Sequence, residues 1–155
     1  MPQRWITDRR QMAEFLARAK VGHLGTSRDG QPYVVPVAFV YRDGCIYIHS
    51  GRGGRKIEHI QENPRVCFAV AELEDVYLGA TACAHSLRYT SVIAHGQARL
   101  IADPGQKRRA LQWLVGKYAP GSAPERFSEQ ALAGVEVIEI VVEEMTEKRN
   151  VASGA

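Results

Sequence analysis

Residues 21–50, VGHLGTSRDGQPYVVPVAFVYRDGCIYIHS, hold two Asp-Gly pairs that divide three apolar runs. Asp29-Gly30 and Asp43-Gly44 read as turns. The second pair is a strong tight-hairpin signal, because Asp and Gly both tolerate positive φ. Residues 21–27, 32–41 and 45–50 are therefore expected to be three strands joined by two turns. The middle strand, Tyr33–Tyr41, is apolar on both faces, as in a barrel wall covered by other elements. Pro36 within it cannot donate a ladder hydrogen bond, so it belongs at an edge, a bulge or an opening. Backbone near Pro36 could then face a ligand instead of a strand.

Outward from this stretch the periodicity changes. Upstream, Met12, Phe15, Leu16 and Ala19 repeat at helical spacing, and Asp8 with Gln11 resembles a capping box. Downstream, a helix over about Arg55–Glu62 is stopped by Asn63-Pro64. RVCFAVAEL (65–73) is a strand, and residues 74–86 look irregular. RYTSVIAHGQARLIA (88–102) alternates with a two-residue period: Thr90, Val92, Ala94, Ala98 and Leu100 face one way, Tyr89, Ser91, His95, Gln97 and Arg99 the other. Asp103-Pro104 opens a helix whose buried stripe is Leu111, Leu114, Val115 and Tyr118. A short helix is expected around Glu125–Leu132, then a last strand, VEVIEIVVEEM (135–145). Six strands with short or flanking helices favour a closed antiparallel barrel over a parallel α/β sheet.

Length and composition agree. A chain of 155 residues, 45% apolar, fits one domain with one core. Residues 1–145 are expected to form it, and 146–155 to be a flexible polar tail. The net charge of +3 is spread along the chain without a basic block, which argues against a nucleic-acid partner. No run of about 18 apolar residues argues for a membrane span, and no signal-peptide core precedes the first helix. Cys45, Cys67 and Cys83 are an odd number with no C-x-x-C pair, so neither a disulfide framework nor a zinc knuckle is expected. The cytoplasm is the default location.

Residues 51–56, GRGGRK, stand between a strand and a helix. Glycines let backbone approach a ligand, and the N–H groups of a helix start carry partial positive charge. Arg55 and Lys56 in that first turn oppose the macrodipole unless an anion is bound. The physical reading is a phosphate site; a solvated basic turn is the alternative. The spacing fits neither the P-loop nor the G-x-G-x-x-G pattern.

GTSRDGQPYVVPVAFVYRDGCIYIHSGRGGRKIEHIQENPRVCFAV (25–70) resembles the flavin-binding split-barrel superfamily typified by pyridoxamine-phosphate oxidases. RYTSVIAHGQARLI followed by KRRALQWLVGKY resembles the branch that includes nitroimidazole-resistance proteins. The resemblance implies a six-stranded antiparallel split β-barrel of Greek-key type, mainly β with flanking helices (α+β). It also implies a homodimer binding FMN in two interface clefts and acting as an oxidoreductase on a small molecule. By position, Arg55 and Lys56 would hold the phosphate with Ser50 and the backbone at His49. The backbone of Val35, Pro36 and Val37 would face the isoalloxazine edge, and Tyr89 and Ser91 would reach the flavin of the partner subunit. Pyridoxamine-phosphate oxidases carry an Arg in the strand occupied here by YVVPV and an Arg-Leu-x-Pro ending. This chain has neither, which counts against oxidation of pyridoxamine phosphate itself.

No catalytic acid or base is named by the sequence. Cys83 and His85 lack a second pair at ligand spacing, so no metal site is expected. A haem-binding or haem-handling protein is the rival reading, with His49, His85 or His95 as a single axial ligand. A deazaflavin-dependent reductase is a third. Cys83 is expected to be partly buried and inert, and Tyr33, Tyr41 and Tyr47 to pack the barrel.

Overall fold

The computed structural model describes residues 3–122 and 126–150. Within them the chain runs β1 (Gln3–Ile6), α1 (Arg9–Arg18), β2 (Gly22–Arg28), β3 (Gln31–Val37), β4 (Val40–Arg42), β5 (Cys45–Gly51), α2 (Arg55–Glu62), β6 (Arg65–Tyr77), β7 (Ser86–Leu100), α3 (Pro104–Tyr118), α4 (Glu129–Ala133) and β8 (Val135–Asn150). Each Asp-Gly pair makes a two-residue hairpin. Asp29 and Gly30 have φ of 49° and 75°, and Asp43 and Gly44 have 51° and 80°. Positive φ at both positions is the type I′ pattern, whose twist suits paired strands.

All the strand pairings are antiparallel, in the order β3-β2-β6-β7-β8-β5-β4, with β1 added beside the far end of β8. The path begins at β3 and ends at β4, which are consecutive in the chain. The sheet coils around one core but does not close, so the barrel is split, as the resemblance implies, and not closed. Among the described residues it has eight strands, not the expected six: β1 is an addition, and the run 33–41 is two strands. The break falls at Ala38-Phe39. There β3 leaves its only partner, β2, and β4 joins β5. Phe39 is fully buried, and its N–H and C=O bond to the Tyr118 hydroxyl instead of a strand. An unbroken apolar run gives no sign of such a substitution. Pro36 lies, as expected, on the edge strand.

The core gathers Leu24, Ile46, Ile48, Phe68, Val70, Val92, Ala94 and Ile140 from the inner face of the sheet. Met12, Phe15, Leu16 and Ala19 of the α1 region join it, and Asp8 caps α1 by accepting from the Arg10 N–H. The side chain of Gln11 reaches the Asp8 carboxylate instead of closing a capping box. A second apolar cluster binds α3 and α4 to the outer face through Ala110, Leu111, Leu114, Leu132 and Val137. In α3, Lys107 is buried in place of the expected Val115 and Tyr118, its Nζ donating to the Leu132 and Val135 carbonyls.

Two stretches expected to be irregular or a tail continue the sheet. β6 and β7 stay paired out to Tyr77 and Ser86, and residues 146–150 complete β8 between β1 and β7. The expected tail thus begins no earlier than 151, outside the described residues. The charged end of β8 is not solvated throughout: Glu147 is fully buried and paired with Arg149.

Candidate functional site

The GRGGRK loop leaves the end of β5 and starts α2. Gly54 caps the helix at φ 107°, a conformation that L side chains rarely adopt. Its carbonyl accepts from the Ile57 and Glu58 N–H groups, and no side chain caps the helix start. Among the described residues, Arg52, Arg55 and Lys56 make no ion pair, so three cations stand uncompensated at a helix N-terminus. At the end of β5, Ser50 is only 4% exposed and its Oγ has no hydrogen-bond partner among the described residues. A buried hydroxyl without a partner costs free energy unless something outside the chain satisfies it.

α2 is held by three successive residues of β2. The Thr26 hydroxyl and His59 Nδ1 are 3.0 Å apart and buried. Asn63, the C-cap, donates to the Ser27 carbonyl and hydroxyl, both at 3.1 Å. Arg28 pairs with Glu58 at 3.6 Å and Glu62 at 2.7 Å. The Arg28–Glu58 contact matters electrostatically. The acidic side chain in the first turn of α2 is drawn towards Arg28, leaving the loop's own cations free of it. None of these partners was legible in the sequence, since each lies more than 25 positions from its mate.

Among the described residues β3 pairs with β2 alone, so its other edge, Tyr33 to Val37, lies along the split. Val35 and Val37 pack on the core, while Val34 and Pro36 are exposed. The Arg55 guanidinium lies 5.1 Å from the Tyr33 ring centroid, and His59 meets the same ring edge-on at 5.9 Å. Tyr33 was expected to be barrel packing; it also carries a cation. The structure thus brings Arg55 to Tyr33 of β3; Lys56 follows Arg55 in the chain, and Ser50 lies at the end of β5 before the loop.

The other candidates lie elsewhere. His49 faces outward and lines an apolar recess of about 350 Å³ with Ala38, Leu111, Leu114, Val115, Tyr118 and Phe127. Tyr89 and Ser91 are on the outer side of β7, paired with Leu73 and Ala71 of β6. Ser91 is six positions from Gln97, which faces Arg65 just past α2, so roughly 20 Å of strand separates them. On β8, Ser91 pairs with Lys148 while Gly51, at the start of the loop, pairs with Val135, so 13 positions of strand keep Tyr89 and Ser91 from the loop within one subunit. His85 Nδ1 accepts from the Gly79 N–H at the β6–β7 tip, and His95 lies across from Cys67 on the outer face. Cys83 is exposed, correcting the expectation of a partly buried thiol, because the 3₁₀ turn Ala82–Ala84 projects from the hairpin tip. Burial pushes the Cys67 thiol above its ordinary value, and burial with Glu139 nearby does the same at Cys45, so neither is activated. Among the described residues no His, Cys, Asp and Glu cluster could hold a metal ion, and no helix is long and apolar enough to cross a membrane.

An open antiparallel barrel with a basic glycine loop leading into a short helix packed on β2 and β3 defines a split-barrel protein of the flavin-binding superfamily. Residues 8–149 match the family model for pyridoxamine 5'-phosphate oxidase, and the chain belongs to that family. A structure described as that of a 5-nitroimidazole antibiotic resistance protein from Bacteroides thetaiotaomicron is 29% identical, with a TM-score of 0.83 over 96% of this chain and 89% of that one. A FAD-binding protein from Mesorhizobium loti is 26% identical, with a TM-score of 0.71 over 97% of this chain and all of that one. A FAD and haem binding protein from Mycobacterium smegmatis shares the fold at a TM-score of 0.86 and 21% identity, over 97% of this chain and 76% of that one. An uncharacterised protein of Rhizobium meliloti (strain 1021) is 30% identical over 67 residues, covering 43% of this chain and 44% of that protein.

Proposed function

We propose that the protein binds FMN in the split of the barrel and serves as a flavin-dependent oxidoreductase for a small molecule. The observation that carries this is the buried Ser50 hydroxyl, left without a partner next to an uncapped, uncompensated basic helix start. A phosphate dianion would satisfy the hydroxyl and the free N–H groups of the first turn, and would neutralise Arg55 and Lys56. The exposed edge of β3 at Val35–Val37 would present backbone groups to the isoalloxazine. Bound flavin would supply hydride or electron transfer at its own ring, which is why no side-chain acid or base is required. The chain's part is to anchor the tail, orient the ring and limit access of water.

A ring system needs a second wall, and the outer face offers one in a homodimer. Val34 (63% exposed), Ile93 (43%) and Val141 (45%) all point away from the core. Tyr89 and Ser91 share the β7 face with Ile93, so a partner would bring them to the opposite flavin.

FAD is the second reading. Beyond Arg55 an open groove of about 440 Å³ runs between Arg28–Pro32 and the Glu58 and His59 side of α2. It offers room for a dinucleotide tail, and the Mesorhizobium loti relative is described as FAD-binding. Titration of the apo-protein with riboflavin, FMN and FAD separates the cases. FMN well above riboflavin, with FAD no tighter, supports the proposal; equal affinity for riboflavin and FMN removes the phosphate site.

A further inference from the structure

We infer that Tyr118, at the end of α3, is a positioning residue for the flavin-facing backbone of β3; the inference rests on the flavin reading above. The corner at Ala38-Phe39, where one sheet edge becomes the other, has no strand to satisfy it. The backbone of Phe39 is satisfied by one phenol. The Phe39 N–H donates to the Tyr118 hydroxyl at 2.8 Å. That hydroxyl in turn faces the carbonyls of Phe39 at 3.0 Å and Lys20 at 2.8 Å, sharing its single proton between them. Both polar groups of the corner residue therefore end on one oxygen atom, two residues beyond Val37.

The adjoining residue reinforces the grip. Lys117 places its ammonium 3.8 Å from the Phe39 ring centroid and donates to the Leu16 carbonyl at 3.0 Å. The Phe39 ring is packed edge-on against Phe68 at 4.9 Å, so the corner cannot yield towards the core. A tie between α3 and the sheet would need one bond to any carbonyl. Here the bonds fall on the residue that ends the free edge, and they set where Pro36 and Val37 lie in the split. Without the hydroxyl, Phe39 would keep its buried ring while its N–H and C=O sought other partners. The backbone preceding it would then sample more than one position.

The test is Tyr118→Phe, which deletes one oxygen. The two affinities, for riboflavin and for FMN, should fall by the same factor, roughly tenfold for the loss of one part-buried hydrogen-bonding site, because the change acts on the ring and not the phosphate. The two-electron potential of the bound flavin should shift. Amide exchange at Val37, Ala38 and Phe39 should quicken in the apo-protein. A folded variant that keeps both affinities and the potential, even with a lower melting temperature, overturns the inference, as does a loss confined to FMN. Should Tyr118→Phe not fold, difluorotyrosine in place of Tyr118 keeps the hydroxyl while weakening it as an acceptor. The potential must still move, and an unmoved potential overturns the inference. A wild-type protein that takes up neither flavin overturns the flavin reading and this inference with it. That result is distinct from a wild type and variant that bind equally.

Discussion

The Arg55 guanidinium sits 5.1 Å from the Tyr33 ring centroid, so the first residue of α2 is held over the edge strand β3. This contact joins the two halves of the proposed site, the basic loop and the unpaired backbone. A cation on an aromatic face at an exposed site contributes about 0.5–1 kcal/mol. Tyr33→Leu should therefore weaken FMN binding by roughly 2- to 5-fold and leave riboflavin almost unchanged. Calorimetric titration of both ligands checks it. An equal loss for the two would mean that Tyr33 serves the ring and not the phosphate.

A second prediction concerns pH. Burial, with Lys20 adding to it, lowers the Lys117 pKa to about 8 from the ordinary 10.5. Between those values the unfolded chain holds a proton that the folded chain has released, so stability rises with pH across this window. Below about 8 both states are charged, and the full cost of the buried ammonium is present. Lys117→Met should remove the rise. Melting curves taken from about pH 7 to 10.5 should show wild type gaining on the variant as pH increases. A constant difference between the two would contradict the assignment.

The parts of this fold that were legible in the sequence are local. Both Asp-Gly hairpins, the bounds of α2 and the alternation of β7 each depend on residues a few positions apart. What was hidden depends on distance. Phe39 and Tyr118 lie 79 positions apart, and their bonds cut an apparently continuous strand in two. Thr26 and His59, 33 apart, fix α2 on β2 without leaving any periodic mark. The end of β8 read as solvated because it is charged, although Glu147 is buried beside Arg149. At the candidate site, the cations and the edge proline could be read directly. The unpartnered Ser50 hydroxyl, the Arg28 pairs that draw off Glu58 and the Arg55–Tyr33 contact needed three dimensions.

The proposed dimer is tested at Ile93, which is exposed at the middle of β7 with no role in the core. Ile93→Lys should fold as wild type does, yet sediment as a monomer and lose flavin affinity, because burying an unpaired charge in an apolar interface is costly. A variant that remains dimeric would place the interface elsewhere. A monomer that binds flavin as tightly as wild type would show that no second wall is needed.

The central claim is that GRGGRK holds a phosphate, and Lys56→Ala tests it most directly. A hydrogen bond to a charged group is worth roughly 1.5–3 kcal/mol net, so FMN affinity should drop by roughly 10- to 150-fold. Riboflavin should bind the variant as it binds wild type. Apo stability should hold level or rise slightly, since a cation at the start of α2 opposes the helix dipole. Unchanged FMN affinity in Lys56→Ala, measured beside an unchanged riboflavin affinity, would contradict the claim and leave the loop a solvated basic turn.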